Sequence, residues 1–551
     1  MRLHNMSELT DTMKNHRGTN KYYFLPLIFG FIGLLFHMRA RPKEFTAILI
    51  LFLITGVGLI MYSNQPPREP RERDYVLVGS FFTFCIWIGL SALAMAKLIT
   101  SKLKMNNSLG ALAGGALVLS VPAIMAFQNF DDHSRLGHYA SRDYAANFLN
   151  SVDENAIIFT YGDNDTYPLW YAQEVENIRR DVRVVNLSLI AVDWYIEKLR
   201  RRVNDSAPLK LTVPTEAYRG NKRNQTFVFN PTNPNDMATP LDAKTELAYV
   251  GSSNNEKNNQ TIMRSRNLFI PINHNLLASK GFLNPTDTVN LVNRLNIKLP
   301  TSGQPYPDGN EYILKDQLAV LDVIVSNFYD RPIYFAVTCK NDKLMGLNDY
   351  MQLEGLGLKL TPHRNKSVRE LSIYGSGRVA EDKVYNNIMD KWAFGGFDKK
   401  EAFIDESYAA EVQAMKIIMM RTAEEYLVKG DNQRASALAD KFFASFPHMN
   451  FPYDDSVIPF IETFLSTGDK EKAKFHMDIL ATEIYQSLQF YISLDDDDKL
   501  SFMDDIQYSI RGASQVLKLV DEVDDPAFSE KTKVMLSEML EKFDLSEFGR
   551  R

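Results

Sequence analysis

The sequence predicts an α-helical transmembrane segment of about four spans, then an α/β soluble domain and an α-helical, tetratricopeptide-like C-terminal region. Three observations lead to this prediction. Long apolar runs lie before residue 128, short β-branched runs alternate with helical patterns from residue 141, and a Gly-Asp pattern recurs after residue 406. The predicted divisions are a polar tail (1–21), the transmembrane segment (22–127), the α/β domain (128–365), a linker (366–405) and the helical region (406–551).

Composition excludes several classes of protein. The 551 residues carry 62 Lys and Arg against 68 Asp and Glu, a net charge of −6. This mild acidic balance argues against a nucleic-acid partner, because phosphate contacts need clustered positive charge. Only two cysteines are present, Cys85 and Cys339, which excludes a disulfide framework and a cysteine-based zinc cluster.

The four apolar runs are the basis of the membrane prediction. A hydrocarbon core about 30 Å thick needs roughly 20 helical residues. The last three runs meet this length, whereas the first is short and contains Pro26. The alternative is buried helices of a soluble core, but the runs lack the polar face that such helices have. The runs are 22–37, 45–62, 75–96 and 109–127.

Four spans would place the tail, the second loop and the soluble part on one side of the membrane. The first and third loops would lie on the other side, and their Lys and Arg residues are typical of cytoplasmic loops. The tail also carries four basic residues, so the charge rule leaves the orientation nearly undecided. If the short basic tail lies outside the cytoplasm, a preceding segment must carry it across the membrane. We therefore expect further spans upstream.

The second loop, SNQPPREPRERDY, lies between the second and third apolar runs and combines prolines with three arginines. Arginine presents a planar fork that matches phosphate oxygens, and at a membrane surface these phosphates belong to lipids. The loop is therefore a candidate clamp for a lipid-linked phosphate, formed by Arg68, Arg71 and Arg73. The alternative is an internal Arg–Glu network with ordinary headgroup anchoring.

The pattern after residue 141 alternates helix and strand, as in βαβ units with buried parallel strands. Strands are predicted at 156–161 and 182–189, and helices at about 168–178 and 192–202. Residues 216–262 are polar and rich in Asn, and we interpret them as an insertion or flexible excursion.

The segment YGDNDTYPLWYAQEVE (161–176) is the main candidate site, because α/β proteins bind ligands at the carboxyl ends of strands. Carboxylates and aromatic rings there suit sugar hydroxyls and ring faces. One alternative is a divalent cation on the Asp-x-Asp pair; another is local capping of the helix, with no ligand. Our prediction names no resident metal or cofactor. It names five glycan- or acceptor-binding residues: Asp163, Asn164, Asp165, Tyr167 and Trp170.

The helical region contains Gly430-Asp431 followed by Ala435, and Gly468-Asp469 followed by Ala473. The spacing of 468 − 430 = 38 residues is near the 34 of a tetratricopeptide repeat. Glycine turns the corner between paired helices, and alanine lets them approach closely. The pattern predicts a partner-binding surface or, alternatively, a helical cap on the α/β domain.

Long motifs give the chain a family resemblance. They are NQPPREPRERDYVLVGSFFTFCIWIGL, GDNDTYPLWYAQEVENIRRDVRVVNLSLIAVDWYIEKLR, NFYDRPIYFAVT and GLNDYMQLEGLGLKLTPH, in this order within residues 20–365. Together they closely resemble the C-terminal half of a bacterial membrane-protein family with a domain of unknown function. That family is grouped with GT-C glycosyltransferases and is related to transmembrane protein O-mannosyltransferases.

The resemblance implies an enzyme that transfers sugar from a polyprenyl-phosphate donor to an acceptor outside the cytoplasm. Relatives carry more N-terminal spans and an acidic Asp-Ser-Gly-Glu-like loop, which this sequence lacks, so the catalytic residues stay unknown. We therefore expect a C-terminal portion or subunit of a GT-C-like glycosyltransferase in the inner membrane, with its soluble part in the periplasm. The expected partners are membrane lipid, the lipid-linked sugar, an upstream multi-spanning subunit or missing N-terminal half, and an acceptor protein or glycan. The alternative is a non-enzymatic, membrane-tethered scaffold.

Overall fold

The structure, a computed structural model, describes residues 8–64, 73–228, 240–252, 255–257, 260–300, 311–405 and 408–543.

The helices between Leu25 and His133 are strongly apolar, as the sequence predicts. Three helical stretches are long and apolar enough to cross a membrane: Pro42–Ser63, Asp74–Leu103 and Asn107–His133. The helix over the first apolar run, Leu25–Ala40, has 16 residues and is shorter than these. The helices of this part are α1 (Asp11–Lys14), α2 (Leu25–Ala40), α3 (Pro42–Leu53), α4 (Leu59–Ser63), α5 (Val78–Leu103) and α6 (Asn107–His133).

Close packing of small residues holds the apolar helices together. A Cβ atom on Gly33 of α2 would overlap the carbonyl oxygen of Trp87 in α5, and Gly114 of α6 lies against the backbone of Ala96 in α5. Small residues let helix backbones approach in this way where water provides no driving force. The Trp87 indole also donates a 3.3 Å hydrogen bond to His37 of α2.

The predicted α/β region begins directly after α6. Its helices are α7 (Ala140–Ser151), α8 (Asp163–Glu174), α9 (Asp193–Leu199), α10 (Thr215–Tyr218), α11 (Ala243–Gly251), α12 (His274–Ser279), α13 (Lys315–Asn327) and α14 (Glu381–Asn386). Its strands are β1 (Ile157–Thr160), β2 (Arg183–Asn186), β3 (Gln225–Val228), β4 (Leu241–Asp242), β5 (Glu256–Lys257), β6 (Gln260–Met263), β7 (Asn267–Pro271), β8 (Arg294–Lys298), β9 (Tyr312–Leu314), β10 (Ile333–Ala336), β11 (Met351–Leu353), β12 (Gly357–Leu360) and β13 (Arg378–Val379).

The main sheet has the order β13-β11-β12-β10-β1-β2. β1 pairs in parallel with both β2 and β10, which confirms the two predicted strands as neighbours in an α/β sheet. All residues of these three strands are buried, because helices cover the sheet. The sheet is mixed, since β12 pairs antiparallel with both β10 and β11.

Residues 216–262, which the sequence indicates as an insertion or flexible excursion, form regular elements in several of the parts that the structure describes. They contribute strands to two small sheets, of order β5-β6-β3-β9 and β4-β7-β8. The buried carboxylate of Asp322 in α13 fixes the start of this segment. It accepts hydrogen bonds from the backbone N–H groups of Thr212 and Val213 and from the Tyr218 hydroxyl.

The segment 366–405, predicted as a linker, is packed against its neighbours. It supplies β13 to the main sheet and contains α14. The buried guanidinium of Arg421 donates hydrogen bonds to the carbonyls of Tyr374 and Gly377, which join this segment to the helical region.

The C-terminal region is helical and consists of successive antiparallel pairs. Gly430 and Gly468 end their helices with positive φ angles of +76° and +87°, a conformation that favours glycine. Ala435 and Ala473 are fully buried next to these turns. The helices are α15 (Ala409–Lys429), α16 (Asn432–Ser445), α17 (Ile458–Thr467), α18 (Lys470–Ser493), α19 (Asp496–Ser501), α20 (Met503–Leu519) and α21 (Pro526–Glu541).

Candidate functional site

The predicted site lies where β1 passes into α8 at the carboxyl edge of the parallel strands. Gly162, at φ +85°, makes the turn, and α8 begins at Asp163 rather than near residue 168 as predicted. Pro168 therefore sits inside the helix, in its second turn. The candidate residues 163–170 thus lie on one helix and divide between its inner and outer faces.

A satisfied polar network fixes the inner face of this turn. The amide of Asn186, at the end of β2, donates to the Gly162 carbonyl (3.0 Å) and to the Thr166 hydroxyl (2.8 Å). The Thr166 hydroxyl also lies 2.7 Å from that of Thr160. The side-chain oxygen of Asn186 accepts from two backbone N–H groups, so every polar atom of this amide is used. This network holds the turn and leaves Asn186 no group for a ligand.

The two predicted aspartates point in different directions. Asp165 is 7% exposed and accepts a hydrogen bond from the Thr338 hydroxyl after β10, and burial raises its pKa to about 6. Asp163 and Asn164 are exposed, and the Asp163 carboxylate accepts from the Asn164 backbone N–H at 3.0 Å. Helix residues two apart lie on nearly opposite faces, so the Asp-x-Asp pair does not converge on one cation. Within the described ranges, no group of three or more His, Cys, Asp or Glu side chains is arranged to hold a metal ion.

Two groups that the sequence did not indicate lie near Asp165, the buried Tyr144 and the half-buried Glu411. The Tyr144 hydroxyl of α7 is buried, and no hydrogen-bond partner for it lies among the described residues. Glu411 of α15 has its pKa raised to about 7, first by burial and then by the charge of Asp165. A void of about 10 Å³ between Tyr144 and Glu411 has room for at most one water. Glu411 could not be found from the sequence, because it is 411 − 165 = 246 residues from Asp165.

The outer face of α8 is aromatic. The rings of Tyr167 and Trp170 lie 5.6 Å apart at 34°, and Tyr167 is largely exposed. Tyr167 lines a cleft of about 980 Å³, whereas Trp170 lines a second pocket of about 350 Å³. The structure therefore separates Tyr167 and Trp170 from the buried carboxylate of Asp165.

The larger cavity, which we call the juxtamembrane cleft, starts five residues after α6 ends, at His138. Arg142 on its wall forms ion pairs with Asp143 (3.0 Å) and Glu176 (3.5 Å). Glu176 also accepts a 3.1 Å hydrogen bond from the Tyr171 hydroxyl. The cleft thus brings cations, carboxylates and tyrosines together, and its first lining residue follows the last apolar helix closely in sequence. Its principal lining residues are His138, Arg142, Tyr167, Tyr171, Glu176 and Lys399.

The arginine loop lies mostly outside the described residues. Arg68 and Arg71 fall between residues 65 and 72, which the structure does not describe. Arg73 is exposed and immediately precedes a short 3-10 turn that leads into α5. The lipid-phosphate role of these three arginines therefore stays a prediction.

Part of the chain matches a protein-family model. Residues 141–383 match the model of a protein family described as TMEM260-associated domain 2. The matched range runs from α7 to α14 and so contains the main sheet, α8 and the pocket beside Trp170. This match supports the resemblance to a domain family of unknown function. No solved structure matches the chain.

Proposed function

We propose that this chain is the membrane-anchored C-terminal part, or a subunit, of a GT-C-like glycosyltransferase whose lipid-linked sugar is bound in the juxtamembrane cleft. One observation carries the proposal: the cleft begins five residues after the last apolar helix and is lined by Arg142, Lys399 and four tyrosines. Such a position suits a ligand whose lipid tail stays in the bilayer.

The chemistry of the cleft fits both ends of a sugar phosphate. Arg142 and Lys399 can attract phosphate oxygens, and Arg supplies a planar fork for them. The carboxylate of Glu176 and the tyrosine hydroxyls can accept or donate hydrogen bonds to sugar hydroxyls, while Tyr167 offers an exposed ring face. In this proposal Arg68, Arg71 and Arg73 bind the same lipid phosphate from the membrane side.

We infer four membrane crossings. Helix α2 runs parallel to α5, since Gly30 faces Phe84 and Gly33 faces Trp87. Just before α2, the Lys21 backbone N–H donates a hydrogen bond to the Gln128 side chain of α6. The Tyr22 hydroxyl likewise donates to Asn129 of α6, and both distances are 2.6 Å. The start of α2 thus lies beside the end of α6. Three crossings would put these ends on opposite sides of the bilayer, so the geometry supports α2 as a fourth span.

The same arrangement gives the proposed orientation. The Asp11 backbone N–H donates to Gln486 of α18, so the tail lies with the soluble part. The loop with Arg39, Arg41 and Lys43 then lies on the opposite face together with Lys104, as expected for cytoplasmic loops. We accordingly propose an inner-membrane protein with a periplasmic soluble part. A separate multi-spanning subunit would provide the catalytic acidic loop, and the acceptor would be a protein or glycan.

Binding of farnesyl phosphate, a short polyprenyl phosphate, tests this function. The full chain in lipid nanodiscs is titrated by calorimetry, with farnesol as the control ligand. Arg142→Gln and Lys399→Gln should each weaken farnesyl phosphate binding about tenfold, the loss expected for one charged hydrogen bond. Arg201→Gln is the matched control, because Arg201 is an exposed arginine outside the cleft. Equal affinity for farnesol, or unchanged affinity in both cleft variants, would contradict the proposal.

The scaffold function is the second candidate, and the helical region favours it. The α15–α18 helices form consecutive pairs with glycine turns and buried alanines, an arrangement that we propose is tetratricopeptide-like. Such stacks commonly present a surface to a protein partner. An envelope protein captured by the full chain and lost on Tyr508→Ala, an exposed aromatic of α20, would favour this candidate.

A further inference from the structure

A second cavity, distinct from the juxtamembrane cleft, lies between α8 and α9. We call it the tryptophan pocket, because Trp170 of α8 and Trp194 of α9 both line it. Its volume is about 350 Å³, at the lower end of the roughly 300–1,000 Å³ typical of small-molecule sites. Apolar side chains such as Leu189 and Val203 complete the wall.

The pocket is rigid on the side of Trp194. The Trp194 ring packs edge-on against Tyr195 at 5.7 Å, and the Tyr195 hydroxyl accepts a 2.9 Å hydrogen bond from the Asn186 backbone. Trp194 is nevertheless 55% exposed, which is unusual for the largest apolar side chain. An indole that is positioned by a fixed neighbour and open to solvent is a suitable surface for a ligand.

The solvent-accessible polar groups of the pocket lie on its rim. The Asn204 amide donates a 2.6 Å hydrogen bond to Glu174, and Arg180 donates a 2.8 Å hydrogen bond to the Asn204 oxygen. Lys198 adds an exposed ammonium group on the same rim. The base is closed by Arg183, a buried guanidinium that donates to the carbonyls of Arg201 and Ala207.

This distribution selects one class of ligand. A pyranose ring has C–H groups on its faces, which pack on indole rings, and hydroxyl groups around its edge, which need hydrogen-bond partners. The pocket offers indoles on its walls and a carboxylate, an amide and an ammonium group on its rim. A purely apolar ligand would instead remove water from the rim charges of Glu174 and Lys198. It would offer these charges no hydrogen bonds in place of those they make to water.

We propose that the tryptophan pocket binds a pyranose unit of a glycan, one or two rings in size. The neighbouring rings of Tyr167 and Trp170 connect this pocket to the juxtamembrane cleft along the outer face of α8. A glycan seated between the tryptophans can therefore extend toward the cleft. This inference names a glycan as the acceptor of the proposed transferase. That identification of the acceptor rests on the proposed function.

Saturation-transfer NMR tests the pocket directly. The full chain is reconstituted in nanodiscs, which avoids sugar detergents, and is mixed with methyl mannopyranoside, methyl glucopyranoside and methyl N-acetylglucosaminide. At least one of these probes should receive saturation on its ring C–H protons. The affinity for that probe should fall about tenfold in Trp194→Ala, the loss expected for one stacked aromatic contact.

Two controls make the result decisive. Phe475→Ala removes an exposed aromatic ring from α18, outside the pocket, and should leave the probe signal unchanged. Cyclohexanol has a six-membered ring with a single hydroxyl, so it should bind more weakly than the pyranosides. Because Trp194 is exposed, its replacement is expected to leave the fold intact, and a thermal melt verifies this.

The outcomes separate this inference from the proposed function. Loss of the pyranoside signal in Trp194→Ala supports the pocket, whatever the result with farnesyl phosphate at the cleft. Absence of saturation for all three pyranosides, or equal saturation in Trp194→Ala, overturns the inference. Binding of cyclohexanol in preference to the pyranosides also overturns it, because the site would then be apolar.

Discussion

The inner and outer faces of α8 use the same stretch of sequence in opposite ways. On the inner face, Thr166 and Asp165 are buried and bonded to the ends of β1, β2 and β10. On the outer face, Tyr167 and Trp170 line cavities. A motif with both acids and aromatic rings can thus place groups that hold the fold on one face of a helix and cavity-lining rings on the other. Substitutions on the two faces should therefore have separable effects.

The largest effect is expected from Asn186→Ala on the inner side. This change removes an amide that makes four hydrogen bonds to the turn and to the backbone that follows β2, and it leaves their partners without this group. The free energy of unfolding should fall by about 3 kcal/mol, as for a broken buried polar network. Chemical denaturation measures the loss. A fall below about 0.5 kcal/mol would mean that this network does not hold the turn.

A pH-dependent effect of intermediate size is expected from Asp165 and Glu411. Their folded pKa values, about 6 and about 7, exceed the ordinary values of 3.8 and 4.5. A raised folded pKa means that the folded state holds its protons more tightly. The stability contributed by the neutral carboxyls is thus complete below pH 4 and is lost as pH rises to 7.

Thermal melts between pH 4 and pH 8 measure this dependence. The loss should be of order 2 kcal/mol for the pair, after allowance for solvent near Glu411. Asp165→Asn combined with Glu411→Gln should flatten the profile, since neither amide ionises. Asp163→Asn serves as the control because Asp163 is exposed. A double variant with the original slope would assign the pH dependence to other groups.

The smallest effect on stability is expected from Asp163→Asn and Asn164→Ala. Both side chains are exposed, and Asp163 contributes only its favourable charge at the start of α8, worth about 0.5 kcal/mol. Pyranoside binding distinguishes the two interpretations of these residues. If they bind glycan, as the sequence suggested, both changes weaken the NMR signal while the melting temperature stays constant. An unchanged signal would leave Asp163 as a helix-terminal charge.

Much of the fold could be predicted because its signals are local. Apolar runs indicate the long membrane helices, and β-branched runs indicate β1 and β2. The small sheets that include residues from 216–262 were missed because their strands pair with β7 and β9, which lie outside this segment. The packed segment 366–405 was missed for a similar reason, since Arg421, which holds it, lies in the helical region.

The turn that carries the candidate residues was predicted in position but not in detail. The turn after β1 is where the sequence places it, because strand ends meet at one edge of a sheet. The direction of each side chain depends on where α8 begins. The predicted start of this helix was five residues too late, so the prediction could not show which of the two aspartates is buried. Tyr144, Glu411 and Trp194 come from other elements, so no local pattern could link them to Asp165 or Trp170.

All binding roles require that the tail, the cleft and the arginine loop share a face of the membrane outside the cytoplasm. Cysteine labelling tests this most directly. Thr12→Cys, Lys399→Cys and Lys43→Cys are made in a chain carrying Cys85→Ser, and intact cells are treated with a membrane-impermeant maleimide. The account expects labelling at residues 12 and 399 and none at residue 43 until the cells are lysed. Labelling at residue 43 alone, or at only one of residues 12 and 399, would contradict it.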